Sequence, residues 1–201
     1  MRLVNLNLIP KFTSVKNYKC NIVCVESKLT CKPHKTVKAR NFAPLELIHS
    51  DLRGMNGVLT KYGKKYFMTL IDDFTRFCYI YLLKLKHEAL HYFNKIYKAD
   101  VENQLERKIK RVRLDHGGEY FSNIFISFCK EHGIIHERMP PYWPQSNGVA
   151  ERKNRTITDL VNAKLDTAGF CKEWWGKAIV IVRHVINHIP TKNKEITPFK
   201  E

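Results

Sequence analysis

No apolar stretch in this chain approaches the roughly 20 residues a helix needs to cross a bilayer. The opening Met1-Arg2-Leu3-Val4-Asn5-Leu6-Asn7-Leu8-Ile9 is too short and too interrupted by polar side chains for a signal peptide. Membrane insertion and secretion are therefore set aside, and a soluble intracellular protein is expected. Internal repeats and long low-complexity segments are missing as well. Cysteine is sparse, six in 201 residues, and in an intracellular chain these side chains stay thiols rather than pairing as disulfides. Cys78, Cys129 and Cys171 lie in apolar segments and read as small core residues.

Acidic residues are the scarcest of the charged kind. Nineteen Asp and Glu stand against 35 Lys and Arg, leaving a formal charge of +16 and a pI near 9.6. Such an excess on one compact unit attracts a polyanion and releases its counterions on binding, so affinity for nucleic acid should fall steeply with salt. The competing explanation is that lysines such as those in Lys108-Ile109-Lys110-Arg111 only solvate the surface. A hydrophobic content of 44 % gives 201 residues enough material for one domain with a substantial core.

Apolar periodicity gives the order strand, strand, strand, helix, strand, helix, short strand, helix, helix. Leu45 to Asp51, Tyr66 to Asp72 and Cys78 to Leu83 read as strands of a meander, the second and third flanking the turn-like Asp73-Phe74-Thr75-Arg76. His87 to Leu105 carries apolar residues at helical steps, and Ile109 to Leu114 reads as the next strand. A helix begins near Phe121. A longer one carries Ile157, Leu160, Val161, Leu165 and Ala168, and Trp174 to Ile189 forms a last apolar helix suited to a core or oligomer contact. Residues 1–43 differ, being rich in Lys and Cys with little periodicity, so they read as a poorly structured basic segment before a core over 44–201.

Three of the few acids stand out. Asp51 closes the alternating segment Leu45-Glu46-Leu47-Ile48-His49-Ser50-Asp51, and Asp115 closes a strand before the flexible His116-Gly117-Gly118-Glu119-Tyr120. Glu151 follows the loop Pro140-Pro141-Tyr142-Trp143-Pro144-Gln145-Ser146-Asn147-Gly148 near the start of a helix. Three carboxylates from separate elements can hold two Mg²⁺ ions about 3.5–4 Å apart, which clamp the attacking and leaving oxygens of a phosphodiester displacement. Asp72 and Asp73 compete for the place of Asp51 as ligands, but acids at a strand-to-turn junction are more often turn formers. Gln145 and Asn147 carry amides able to hydrogen-bond a DNA backbone or base edge. Arg152, Lys153 and Arg155 follow Glu151 on the helix, where Arg155 shares its face, and at least one is expected to neutralise phosphate.

Leu47-Ile48-His49-Ser50-Asp51, Tyr66-Phe67-Met68-Thr69-Leu70-Ile71-Asp72-Asp73-Phe74-Thr75-Arg76, Asp115-His116-Gly117-Gly118-Glu119-Tyr120 and Pro144-Gln145-Ser146-Asn147-Gly148-Val149-Ala150-Glu151-Arg152-Lys153-Asn154 occur in that order. Together they resemble the integrase core of copia-type LTR retrotransposon Pol polyproteins, over roughly residues 18 to 199. The resemblance implies an α/β, RNase H-like mixed five-stranded sheet flanked by helices. It implies a triad of two aspartates and a glutamate, falling here on Asp51, Asp115 and Glu151, that binds Mg²⁺ or Mn²⁺. It also implies 3′-end processing and strand transfer of element DNA, partners in element ends and target DNA, a homo-oligomer when active, and a nuclear or virus-like-particle location. His116 stands where the family more often has Arg, and Trp143 where it more often has Thr.

The family carries an N-terminal zinc module in which a His pair precedes a C-x₂-C pair. Here Cys20 and Cys24 are spaced C-x₃-C, and His34 is the first histidine. Unpartnered thiols are therefore expected in place of a zinc site. The chain reads as a truncated copy on this comparison, which keeps a second function class open: a catalytically incomplete, transposon-derived nucleic-acid-binding remnant. An RNase H cutting the RNA of a hybrid would share the fold, but the Pro-Gln-Ser-Asn-Gly loop argues against it.

Overall fold

A computed structural model describes residues 43–114, 123–137, 148–190 and 196–200. Five strands form one mixed sheet. They are β1 (Ile48–Gly54), β2 (Tyr66–Asp72), β3 (Cys78–Leu83), β4 (Arg111–Leu114) and β5 (Ile135–Glu137), in the spatial order β3-β2-β1-β4-β5. β1, β2 and β3 pair antiparallel as the expected meander, and β4 and β5 join beside β1 in parallel. Between β3 and β4 runs one helical stretch of α1 (Glu88–His91), a π-helical segment (Tyr92–Lys98) and α2 (Ala99–Leu105). α3 (Asn123–Glu131) precedes β5, while α4 (Gly148–Ala168), a 3₁₀ turn (Lys172–Trp174) and α5 (Trp175–His188) follow it.

Helices cover both faces, which is why β2 is almost wholly buried rather than alternating buried and exposed. Met68 and Leu70 point to one face, where they meet Phe93, Tyr97 and Val101 of the π segment and α2 and Phe125 and Phe128 of α3. Phe67 and Ile71 point to the other, against Ile157, Val161 and Leu165 of α4 and Trp175, Ile179 and Val182 of α5. Trp175 is anchored at both ends of its ring. Its rim packs edge-on to Phe67 at 6.3 Å between centroids, and its Nε1 donates to the Val58 carbonyl at 3.0 Å.

The strand limits of β2 and β3 coincide with the sequence expectation, whereas β1 does not. It begins three residues later and continues to Gly54. Leu45 takes a φ of 64°, outside the extended region, and donates its N–H to Asp72 Oδ1 at 2.9 Å. The residues before Ile48 are thus tied down as a turn, and pairing with β2 runs on to Gly54 opposite Tyr66. Asp51 consequently lies inside its strand instead of closing it. The helix expected over His87 to Leu105 is present, but its middle is π-helical, and it stops where Glu106 adopts a φ of 48°. Cys78 and Cys129 are buried, yet Cys171 is exposed. It follows the Gly169 turn at φ 67° and caps the 3₁₀ turn in extended conformation, so the apolar run around it is a surface corner rather than core.

Candidate active site

β1 sends Ile48 and Leu52 to the core beneath the π segment, and His49 and Asp51 to the opposite face. Asp51 therefore points toward α4. Its Oδ2 accepts a hydrogen bond from Asn154 Nδ2 at 2.7 Å, and its Oδ1 accepts the N–H of Leu52 at 2.8 Å. Across the strand pair Asp51 stands opposite Thr69, whose hydroxyl donates to the Asp51 carbonyl at 3.4 Å. The aspartate is half-buried, and Asn154 is fully buried.

On α4, Ala150, Asn154, Ile157, Val161 and Leu165 form one buried stripe at three- and four-residue steps. Asn154 is its polar member, and it replaces an apolar contact with a tether to β1. Glu151 precedes Asn154 by one helical turn and is half-buried in the first turn. There a carboxylate is favoured by the helix dipole and the unpaired N–H groups. The tether thus brings the turn bearing Glu151 to the strand bearing Asp51. Asp115, Gln145, Asn147, His116, Glu119, Trp143, Cys20 and Cys24 lie outside the described residues. Leu114, which precedes Asp115 in the chain, pairs in parallel with Ser50, which precedes Asp51.

The cations expected along α4 differ in setting. Arg152 and Arg155 are exposed. The guanidinium of Arg152 folds back over the helix start, close enough that a Cβ on Gly148 would sit 3.1 Å from its Nη1. Lys153 is half-buried. Desolvation holds its ammonium below the usual lysine range, the Cys78 thiol opposes that shift, and the charge of Arg76 adds to it.

Asp72 and Asp73 both have structural occupations. Asp72 Oδ1 takes the Leu45 N–H, and its Oδ2 takes the N–H and hydroxyl of Thr75 at 2.7 and 2.9 Å, the pattern of a turn former. Asp73 is more than that. Its Oδ1 lies 2.9 Å from Nε2 of fully buried His49 and 3.1 Å from Nη1 of Arg76. This buried pair underlies β1 two residues before Asp51. On β4 and β5, Glu137 gathers Arg111 and Arg113 at 3.0 and 2.7 Å.

Sequence reasoning passed over Asn154 and His49. The signal for Asn154 was legible as an amide at a stripe position of α4. His49 carried none, because a histidine in an alternating strand does not announce its partner. Among the described residues no group of three His, Cys, Asp or Glu side chains is close enough to hold a metal.

Residues 42–144 match the family model described as integrase core domain. The chain is 40 % identical over 168 residues to the retrovirus-related Pol polyprotein from transposon TNT 1-94 of Nicotiana tabacum, covering 84 % of this chain and 13 % of that polyprotein. It is 31 % identical over 179 residues to the Pol polyprotein from transposon RE2 of Arabidopsis thaliana, covering 89 % and 12 %. The chain thus spans a small part of these relatives. Among solved structures it is similar to the simian T-cell lymphotropic virus intasome in complex with PP2A regulatory subunit B56 gamma. That match has a TM-score of 0.63 and 20 % identity over 90 % of this chain and 62 % of that one. It is also similar to the HTLV-2 integrase catalytic core domain in complex with magnesium, dimeric form, with a TM-score of 0.57 and 20 % identity over 80 % and 98 %. At that identity the likeness shows the fold, which is the RNase H-like fold of retroviral integrase cores.

Proposed function

This chain belongs to the integrase core domain family and is similar to copia-type Pol polyproteins of plant transposons, and we propose that it joins element DNA to target DNA with Asp51, Asp115 and Glu151 as its metal ligands. The observation that carries the reading is the 2.7 Å bond from Asn154 to Asp51, which ties the glutamate-bearing turn of α4 to the aspartate-bearing strand. The parallel pairing of Ser50 with Leu114 supports Asp115 as the third member, since each residue directly precedes an aspartate of the triad.

The residues present fit a hard divalent cation such as Mg²⁺ or Mn²⁺. Carboxylate oxygens are the donors such ions take. Asp51 receives N–H donors on both oxygens, which fixes the orientation of its carboxylate. When bound, the ions supply Lewis acidity and neutralise charge on the oxygens around phosphorus. The side chains of Asp51, Asp115 and Glu151 would hold that pair.

Two displacements are then assigned to the site. In the first, a water oxygen forms a bond to phosphorus near a 3′ end, the bond to the bridging 3′ oxygen breaks, and a 3′ hydroxyl is left. In the second, that hydroxyl attacks a target phosphodiester, and the displaced target 3′ oxygen takes up a proton. Gln145 and Asn147, which precede α4 in the chain, are assigned to the DNA backbone or a base edge, and Arg152, Lys153 and Arg155 to phosphate. Arg152 and Arg155 are exposed and present their guanidinium groups to phosphate, whereas Lys153 is half-buried and its ammonium is desolvated. The core is taken to span 44–201, to assemble as a homo-oligomer on DNA, and to work inside the cell.

The test is a Mg²⁺-dependent strand-transfer or disintegration assay with labelled oligonucleotides, comparing the chain with Glu151→Gln. Product from the native chain alone supports the proposal. Equal product from both, or DNA binding without product from either, leaves a non-catalytic nucleic-acid binder. Cleavage of the RNA strand of a hybrid would instead identify an RNase H.

A further inference from the structure

The last two turns of α5 carry His184 and His188, four residues apart and both exposed. Neither belongs to the carboxylate site, and neither is needed for the core. Residues at this spacing project side by side from a helix, the relation in which two imidazoles chelate one ion. Their ring centroids lie 4.1 Å apart with 29° between the planes. Ring centroids of two imidazoles that share one zinc through bonds of about 2.0–2.1 Å near the tetrahedral angle lie roughly 5 Å apart, so the exposed His184 ring has to splay away from His188 by about 1 Å to open the chelate.

The ring of His188 is already fixed. Its Nδ1 sits 2.8 Å from the carbonyl of His184, an arrangement in which Nδ1–H donates and Nε2 is the nitrogen left for a ligand. One face stacks on His184, and Phe199 stacks on it as well at 4.5 Å and 25°. Phe199 is held in turn by its N–H, which donates to the Asn187 carbonyl at 3.0 Å. A histidine whose second nitrogen bonds a backbone carbonyl, and whose ring cannot swing, has the outer-shell support that metal-bound histidines usually show.

We propose that His184 and His188 chelate a divalent transition-metal ion of the Zn²⁺ class at the C-terminal end of α5, with water completing the coordination. Imidazole nitrogen favours Zn²⁺, Ni²⁺ or Cu²⁺ over Mg²⁺, so the site is chemically distinct from one built of carboxylates. The bound ion would staple the final turn of α5, to which residues 196–200 return.

Long-range ¹H–¹⁵N spectra of the full ¹⁵N-labelled chain, titrated with ZnCl₂ and separately with MgCl₂, resolve each imidazole nitrogen. This matters because thiolates are zinc ligands as well, and a bulk zinc titration would not separate cysteines elsewhere in the chain from this pair. The expected result is that Nε2 of His184 and Nε2 of His188 shift at the same zinc concentration, while Nδ1 of His188 stays protonated and MgCl₂ shifts neither. In His184→Ala, the zinc needed to shift His188 rises at least about tenfold, because a chelate becomes a single contact. His188→Gln should do the same to His184. Absence of the shifts, shifts at separate concentrations, indifference of either histidine to loss of the other, or an equal response to MgCl₂ would each overturn the proposal.

Discussion

Replacing Asn154 with Ala removes the amide that holds Asp51 and leaves the backbone of α4 intact. Two energies oppose each other in the folded state. Losing a hydrogen bond to a charged acceptor costs about 1.5–3 kcal/mol. Against that, Asn154 Oδ1 is buried with no partner among the described residues, and removing an unsatisfied buried acceptor returns about 1–3 kcal/mol. Alanine also has the higher helix propensity, by a few tenths to about 0.7 kcal/mol. The net change in stability is therefore expected within about 1 kcal/mol of zero, or about 2–4 °C in Tm for a chain of this size. Function should respond quite differently. Asp51 loses one of the donors that orient its carboxylate, and loss of an outer-shell partner typically lowers metal affinity or activity about 10–100-fold. Differential scanning fluorimetry and a Mg²⁺ titration of strand transfer measure the two quantities on the same samples. A fall in Tm beyond about 8 °C would make the asparagine a fold determinant instead. An unchanged Mg²⁺ requirement at unchanged rate would refute the positioning argument outright.

Gly176→Ala places a Cβ 2.7 Å from Thr60 Cγ2, and the expected loss is about 1–3 kcal/mol in urea denaturation. Thr60→Ser should recover most of it, because serine lacks Cγ2 and retains the hydroxyl that accepts the Lys64 N–H at 2.9 Å. Burial pushes the Cys78 thiol up to about 12 from an ordinary value of 9.0, with the charges of Lys153 and Arg183 opposing. Below pH 9 the thiol is neutral in both states and its contribution is fully present; as pH rises from 9 toward 12 only the unfolded chain ionises, and stability falls by about 1.4 kcal/mol per unit. Urea midpoints at pH 8 and 10.5 should therefore differ more for the native chain than for Cys78→Ala. DNA affinity should fall linearly in log–log with salt, at a slope near −0.9 per phosphate neutralised on a duplex. Arg155→Ala should reduce that slope by about one if its exposed guanidinium meets phosphate.

The second and third strands of the meander were legible because each is a short apolar run bounded by turn formers, and β2 and β3 fall where those limits put them. β1 was misplaced because Leu45 and Leu47 continue the alternation although the chain turns there. Its true end is fixed by pairing with Tyr66, a relation no local window contains. The π-helical turn was likewise illegible, since Phe93 and Tyr97 satisfy ordinary helical spacing and one extra residue per turn leaves no compositional mark. At the candidate site, Asp51 and Glu151 were singled out from their places near the ends of apolar segments and from the family resemblance. Their common setting depends on Asn154, whose role appears only when α4 lies across the sheet. Asp73, the competing acid, engages His49 and Arg76 through its Oδ1, contacts that no local window of sequence contains.

The bond between Asp51 and Asn154 joins residues 103 positions apart. During synthesis the β1–β3 meander leaves the ribosome well before α4 does, and contacts of long sequence separation are the last to repay their loop-closure entropy. A nascent or proteolytically shortened chain lacking α4 would thus present Asp51 without the amide that orients it and without Glu151. Under the proposed function, the site would thus be completed only when the last of its elements has folded, an order written into the direction in which the polypeptide is made.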